Sequence, residues 1–95
     1  MTHIVLFKFK EKIEDSILSN TVVKTYDLLK NEHKVIKDYK YNLNVMDIDA
    51  NMDLILFVDL GDNLPLENYI NHPEHKIFLE NIKKLEPISK SVIDI

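Results

Sequence analysis

The stretch THIVLFKFK, residues 2–10, reads as a β-strand with apolar side chains on both of its faces. His3, Val5, Phe7 and Phe9 alternate onto one side, and Ile4, Leu6, Lys8 and Lys10 onto the other. A strand with one solvated face needs a single apolar row. Two rows place this strand in the middle of a sheet that is covered on both sides. A second strand, Met52–Leu60, has the same character, with Leu54, Ile55, Leu56, Phe57 and Val58 in succession.

The remaining elements arrange themselves around these two. Asp15 to His33 carries helical spacing, with Ile17, Leu18, Val22, Thr25, Leu28 and Leu29 as the apolar stripe and Asp15 or Ser16 as the cap. Tyr39, Tyr41, Leu43 and Val45 alternate with Lys40, Asn42 and Asn44, a half-exposed strand, and Asp47–Asn51 is polar enough to connect it to the next. Gly61, the one glycine, stands with Asp62 and Asn63 where a turn is required. A short helical piece follows over Leu66–Asn71. His72-Pro73 then starts a second helix, with proline at its favoured first position and Ile77, Phe78, Ile82 and Leu85 as its stripe. Pro87 stops that helix, and Ile88, Val92 and Ile93 lie in a last strand.

The order β-α-β-β-α-β predicts an α+β, ferredoxin-like fold, an antiparallel sheet with both helices on one face, as a single domain over residues 1–95. The other face, with Ile4, Leu6, Ile55 and Phe57, then needs a cover. A second copy of the same sheet is the simplest, so the expected partner is a homodimer through the sheet face. Size argues the same way: a 95-residue chain without cysteine buries only about 60–65% of its unfolded surface and has no disulfide to help it.

Charge and composition exclude whole classes of function. All 12 basic residues are lysine, and with 16 acidic ones the net charge is −4. Without arginine the chain lacks the fork that grips phosphate and guanine, so no nucleic acid is expected as a partner. Lys8 interrupts the most apolar run, which is too short for a membrane span or a secretory signal; the expected compartment is the cytoplasm. Zero cysteine removes thiolate chemistry and zinc–thiolate sites. No cofactor is implied.

Histidine, tyrosine and aspartate are the chemistry that remains. His75 lies in the first turn of the second helix, where exposed N–H groups disfavour an imidazolium and leave a neutral ring able to act as a base. Asp94 could orient it, and Tyr69 could donate to a carbonyl or enolate oxygen. Such a trio can remove a proton next to a carbonyl. Simpler roles compete: a histidine beside proline often only caps a helix, and Tyr69 can be core. His72 and His75 with a carboxylate also match metal-ligand spacing, though Pro73 sets His72 outside the helix, and no metal is expected. Val5, Phe7, Phe78 and Val92 are the apolar neighbours that would keep water out.

His3-Ile4-Val5-Leu6-Phe7-Lys8-Phe9, the strand Leu54–Leu60, Tyr69-Ile70-Asn71-His72-Pro73-Glu74-His75 and Val92-Ile93-Asp94 together resemble the stress-responsive dimeric α/β-barrel (Dabb) family over essentially the whole chain. The resemblance implies protomers paired sheet to sheet as a dimeric α/β barrel. Its plant polyketide-cyclase members imply His75 as base, Tyr69 as its helper, Asp94 in support and His3 in the pocket. Leu54 stands where those enzymes carry a further pocket histidine, a departure that argues against their substrate. The expected function is therefore a stress-associated or small-ligand-binding homodimer with no assigned reaction, taking a small apolar or carbonyl-bearing compound. The expected ligand contacts are His3, Val5, Phe7, Leu54, His72, Phe78 and Val92. The alternatives are a cyclase-like lyase using His75 and Tyr69, or an enzyme like the barrel monooxygenases.

Overall fold

A computed structural model describes residues 1–95. Strand β1 (Thr2–Phe9) leads to helix α1 (Asp15–Asp27), whose last turns widen into π-type bonding over Leu28–Glu32. Strands β2 (Asp38–Leu43) and β3 (Leu54–Asp59), helices α2 (Leu66–Ile70) and α3 (Pro73–Lys84), and strand β4 (Pro87–Asp94) complete the chain. The sheet order is β2-β3-β1-β4, every pair antiparallel. The fold is ferredoxin-like, with the two strands of doubly apolar pattern at its centre. No helix is long and apolar enough to cross a membrane.

The core lies between sheet and helices. Phe7, Phe9, Leu54, Leu56 and Val58 from the sheet meet Leu18, Val22, Tyr26 and Leu29 of α1 and its extension, with Phe78 and Ile82 of α3. The buried residues of the first helix fall at intervals of three and four, which moves its stripe off Ile17: that residue is 45% exposed, and Tyr26 is fully buried. Ile77 is likewise 44% exposed, because the inward face of α3 is set by His75, Phe78 and Ile82. Neither Asp15 nor Ser16 caps α1; Glu14 holds the cap position with extended backbone and no side-chain bond. Val45 lies beyond the end of β2 and is almost wholly exposed.

On the uncovered face Ile4 is only 8% exposed while Leu6, Ile55 and Phe57 are half-buried, and Lys40 lays its ammonium 4.7 Å from the Phe57 ring centroid. The whole chain exposes 6068 Å². A compact monomer of its mass, 11.2 kDa, would expose about 5,700 Å². The strongly exposed apolar side chains include Val45, Met46 and Ile48 of the β2–β3 connection, while the helix-free sheet face is partly screened by its own neighbours.

Candidate functional site

Two segments bring the site together. Pro73 begins α3 and His72 caps it, its Nδ1 accepting from the Glu74 N–H at 3.1 Å. That cap turns the next histidine, His75, into the space between α2, α3 and the sheet, where it is 6% exposed. Its Nδ1–H donates to the Ile70 carbonyl at 2.9 Å, at the end of α2. A carbonyl can only accept, so the ring proton sits on Nδ1 and the lone pair on Nε2. No buried side-chain nitrogen or oxygen lacks a partner, and Nε2 makes no bond within the chain, so it retains access to the adjoining cavity. Burial, above all, lowers the proton affinity of His75; Lys90 and His3 add to this against the Ile70 bond, which raises it. A neutral imidazole is the result.

Tyr69 packs edge-on against His75, ring centroids 4.6 Å apart, and is 1% exposed. Its hydroxyl is hydrogen-bonded to that of Tyr26, which is buried completely and has no other partner. Either phenol can donate in that bond; with Tyr26 as the donor, the Tyr69 proton is left to face the cavity. Burial raises both phenols well above their ordinary range, which keeps them donors.

His3 and Asp94 form a separate pair. The β1–β4 register sets them directly opposite, and His3 Nδ1 lies 2.5 Å from the Asp94 carboxylate. Asp94 therefore does not orient His75, as its place in the sequence had suggested; the backbone of Ile70 does that. The His3 ring sits 5.9 Å from that of Tyr69.

His3, Val5, Phe7, Tyr69, His75, Phe78 and Val92, all named from the sequence, surround one cavity of about 90 Å³. Leu54 and His72 do not. Leu54 stands opposite Phe7, one pleat farther from the His3 end than Leu56, which opposes Val5 and does line the space. His72 stays outside because its cap bond commits it to the helix end, where its ring lies 4.4 Å from that of His33. The cavity also gains Tyr26, Ile70, Leu79 and Lys90, which sequence reasoning missed. Tyr26 left one signal, a polar-tipped ring on an otherwise aliphatic stripe. No cluster of three or more His, Asp or Glu side chains suited to a metal ion is present.

A wider groove of about 670 Å³ lies between the β1–α1 and β2–β3 connections. Its wall is mostly lysine, carboxylate and exposed loop side chains, without a histidine or tyrosine, whereas the two buried histidines and Tyr69 are at the smaller cavity.

The family model for the stress responsive A/B barrel domain matches residues 1–94. Among solved structures, a dimeric protein of unknown function and ferredoxin-like fold from Bacteroides fragilis is similar, with TM-score 0.76 and 22% identity over 99% of this chain and 92% of that one. A dimeric ferredoxin-like protein of unknown function from Thermobifida fusca has TM-score 0.74 and 18% identity over 97% and 85%. A Dabb family protein with a ferredoxin-like fold from Mesorhizobium loti has TM-score 0.71 and 16% identity over 99% and 92%. No curated protein matches the sequence.

Proposed function

Because the chain belongs to the stress responsive A/B barrel domain family, we propose that it works as a homodimer whose protomers each bind a small carbonyl compound in the cavity beside His75. The observation that carries this is that one small, mostly apolar cavity holds both a His75 Nε2 with no partner in the chain and the Tyr69 hydroxyl, whose proton faces the cavity when Tyr26 donates to it. A hydrogen-bond acceptor on a short apolar body satisfies those groups. The volume limits the guest: about 90 Å³ is well below the 300–1,000 Å³ of drug-sized pockets. Support for pairing comes from the bare row Ile4, Leu6, Ile55 and Phe57 and from the dimeric state of the Bacteroides and Thermobifida proteins.

Mass spectrometry of compounds that co-purify with the protein, and amide shift perturbation by small aldehydes and ketones, test the reading. Shifts centred on Tyr69, His75 and Val92 are expected; their absence across such a panel would overturn it.

A second reading, enolisation, is favoured by the tautomer of His75. With its proton on Nδ1, Nε2 can take the proton from the carbon next to the carbonyl. The C–H electron pair becomes the C=C bond, the carbonyl π pair moves onto oxygen, and the Tyr69 O–H donates to the enolate that forms. Return of the proton completes a reversible exchange. In D2O the enzyme would then wash deuterium into the α-position of a bound ketone. His75→Ala would slow this at least about 100-fold; exchange unaffected by that change would leave binding alone.

A further inference from the structure

Of the twelve residues around the cavity nine are hydrophobic, and the others are His3, His75 and Lys90. His3 is taken by Asp94, and His75 is neutral at ordinary pH. Lys90 is thus the only fixed charge in the wall. It lies on β4 opposite Phe7, on the helix-facing side shared with Val92 and Asp94. Its ammonium hangs 5.9 Å from the centroid of the Phe7 ring. The ion pairs of the chain are His3–Asp94, Lys10–Glu86 and Lys30–Asp38, none of which involves Lys90. The nearest carboxylate along its own strand face, Asp94, is already occupied.

We propose that the ligand is a small anion, a short oxo-acid whose carboxylate is held by Lys90 at the cavity mouth while its carbonyl reaches Tyr69 and His75. This rests on the carbonyl-binding reading of the cavity and adds the charge of the guest. The geometry favours an acid over a neutral ketone for two reasons. An exposed ammonium keeps its hydration until an anion arrives, so holding one costs little desolvation. A cavity of about 90 Å³ takes only a carbonyl and one or two carbons, so the rest of the molecule must sit at the mouth, beside the lysine. A single positive charge with no second cation near it suits one carboxylate better than a doubly charged phosphate monoester.

The test compares 3-oxobutanoate with 4-methyl-2-pentanone, which replaces the carboxylate by an isopropyl group of the same shape. Dissociation constants are measured by amide shift titration in about 10 mM salt, where screening is weak. The native chain is expected to bind the oxo-acid at least fivefold more tightly than the ketone. Lys90→Gln should bring that ratio close to one, and Lys90→Arg should keep it. Equal affinities in the native chain, or a preference that Lys90→Gln leaves intact, would overturn the assignment of Lys90 while leaving carbonyl binding in place. Failure of both compounds to bind would instead overturn the cavity reading, and this proposal with it.

Discussion

Asp94 faces His3 across the β1–β4 ladder, and the two side chains are joined at 2.5 Å although 91 positions separate them in sequence. The pair ties an edge strand to the centre of the sheet. It leaves His75 to a main-chain carbonyl, and that division of labour can be measured. Asp94→Ala is expected to cost about 1 kcal/mol in urea unfolding, the value of one hydrogen bond with a half-exposed partner. The imidazole titration of His75, followed by NMR, should not move. A clear fall in that titration would restore Asp94 as the group that orients His75.

Tyr26 and Tyr69 should behave as a coupled unit. Tyr26→Phe and Tyr69→Phe each remove one half of the hydroxyl pair and leave the other hydroxyl buried without its partner. Each single change is expected to cost about 1–2 kcal/mol. The double change should cost less than their sum by about 1 kcal/mol, the coupling of one buried hydrogen bond. Strict additivity would mean that the two hydroxyls do not act together.

Acid should weaken the fold through two histidines. The proton affinity of His72 is lowered by burial and then by His33, and that of His75 chiefly by burial. The unfolded chain therefore takes up these protons more readily than the folded one. Their contribution is fully present above the ordinary imidazole value of about 6.5 and is lost as pH falls through the lower folded values. Protonating His72 also places a proton on the Nδ1 that accepts the Glu74 N–H, so the cap of α3 goes with it. The urea midpoint should drop steadily below about pH 6.5. His72→Asn, which caps without titrating, should make that drop shallower; an unchanged slope would remove His72 from the account.

The bare sheet face gives a direct test of pairing. Leu6→Lys puts a charge in the middle of the row formed with Ile4, Ile55 and Phe57, and a two-fold axis makes every substitution count twice. Losing one buried leucine on each side, at about 1.5–3 kcal/mol apiece, should weaken association by at least a hundredfold. Light scattering at micromolar concentration would then report a monomer, against a dimer for the native chain. Equal masses for the two proteins would place the contact elsewhere.

Glu86 offers a stabilising change. It follows Leu85, the C-cap of α3, with φ 58°, the left-handed conformation that glycine commonly supplies at a helix end. Its side chain contributes little, being 68% exposed and 3.8 Å from Lys10. Glu86→Gly is expected to raise stability by about 0.5–1 kcal/mol in urea unfolding. A loss of stability would show that the Lys10 pair outweighs the backbone strain.

What was legible beforehand follows from how far each feature reaches along the chain. The doubly apolar rows of β1 and β3 are local patterns, so the centre of the sheet and its helix-free face could be read from residues 2–10 and 52–60. Pro73 after His72 marked the start of α3 for the same reason. The partner of Asp94 depended instead on register between segments 91 residues apart, and two histidines were within plausible reach. Leu54 and Leu56 share a face, and only that register says which one stands beside the cavity. Tyr26 was hidden because its role arises from a hydroxyl that meets another 43 residues away.

The join of His3 to Asp94 also sets when the cavity can exist during synthesis. One wall comes from the third residue and the strand beside it from residues 87–94, so a fragment without β4 does not enclose the space. Helix α1 and the β2–β3 hairpin can form from near neighbours, but β4 must cross almost the full contour to seat beside β1. Closing that loop is the slowest kind of contact to make. An enclosed cavity is therefore a late product of folding, present only once the sheet is complete.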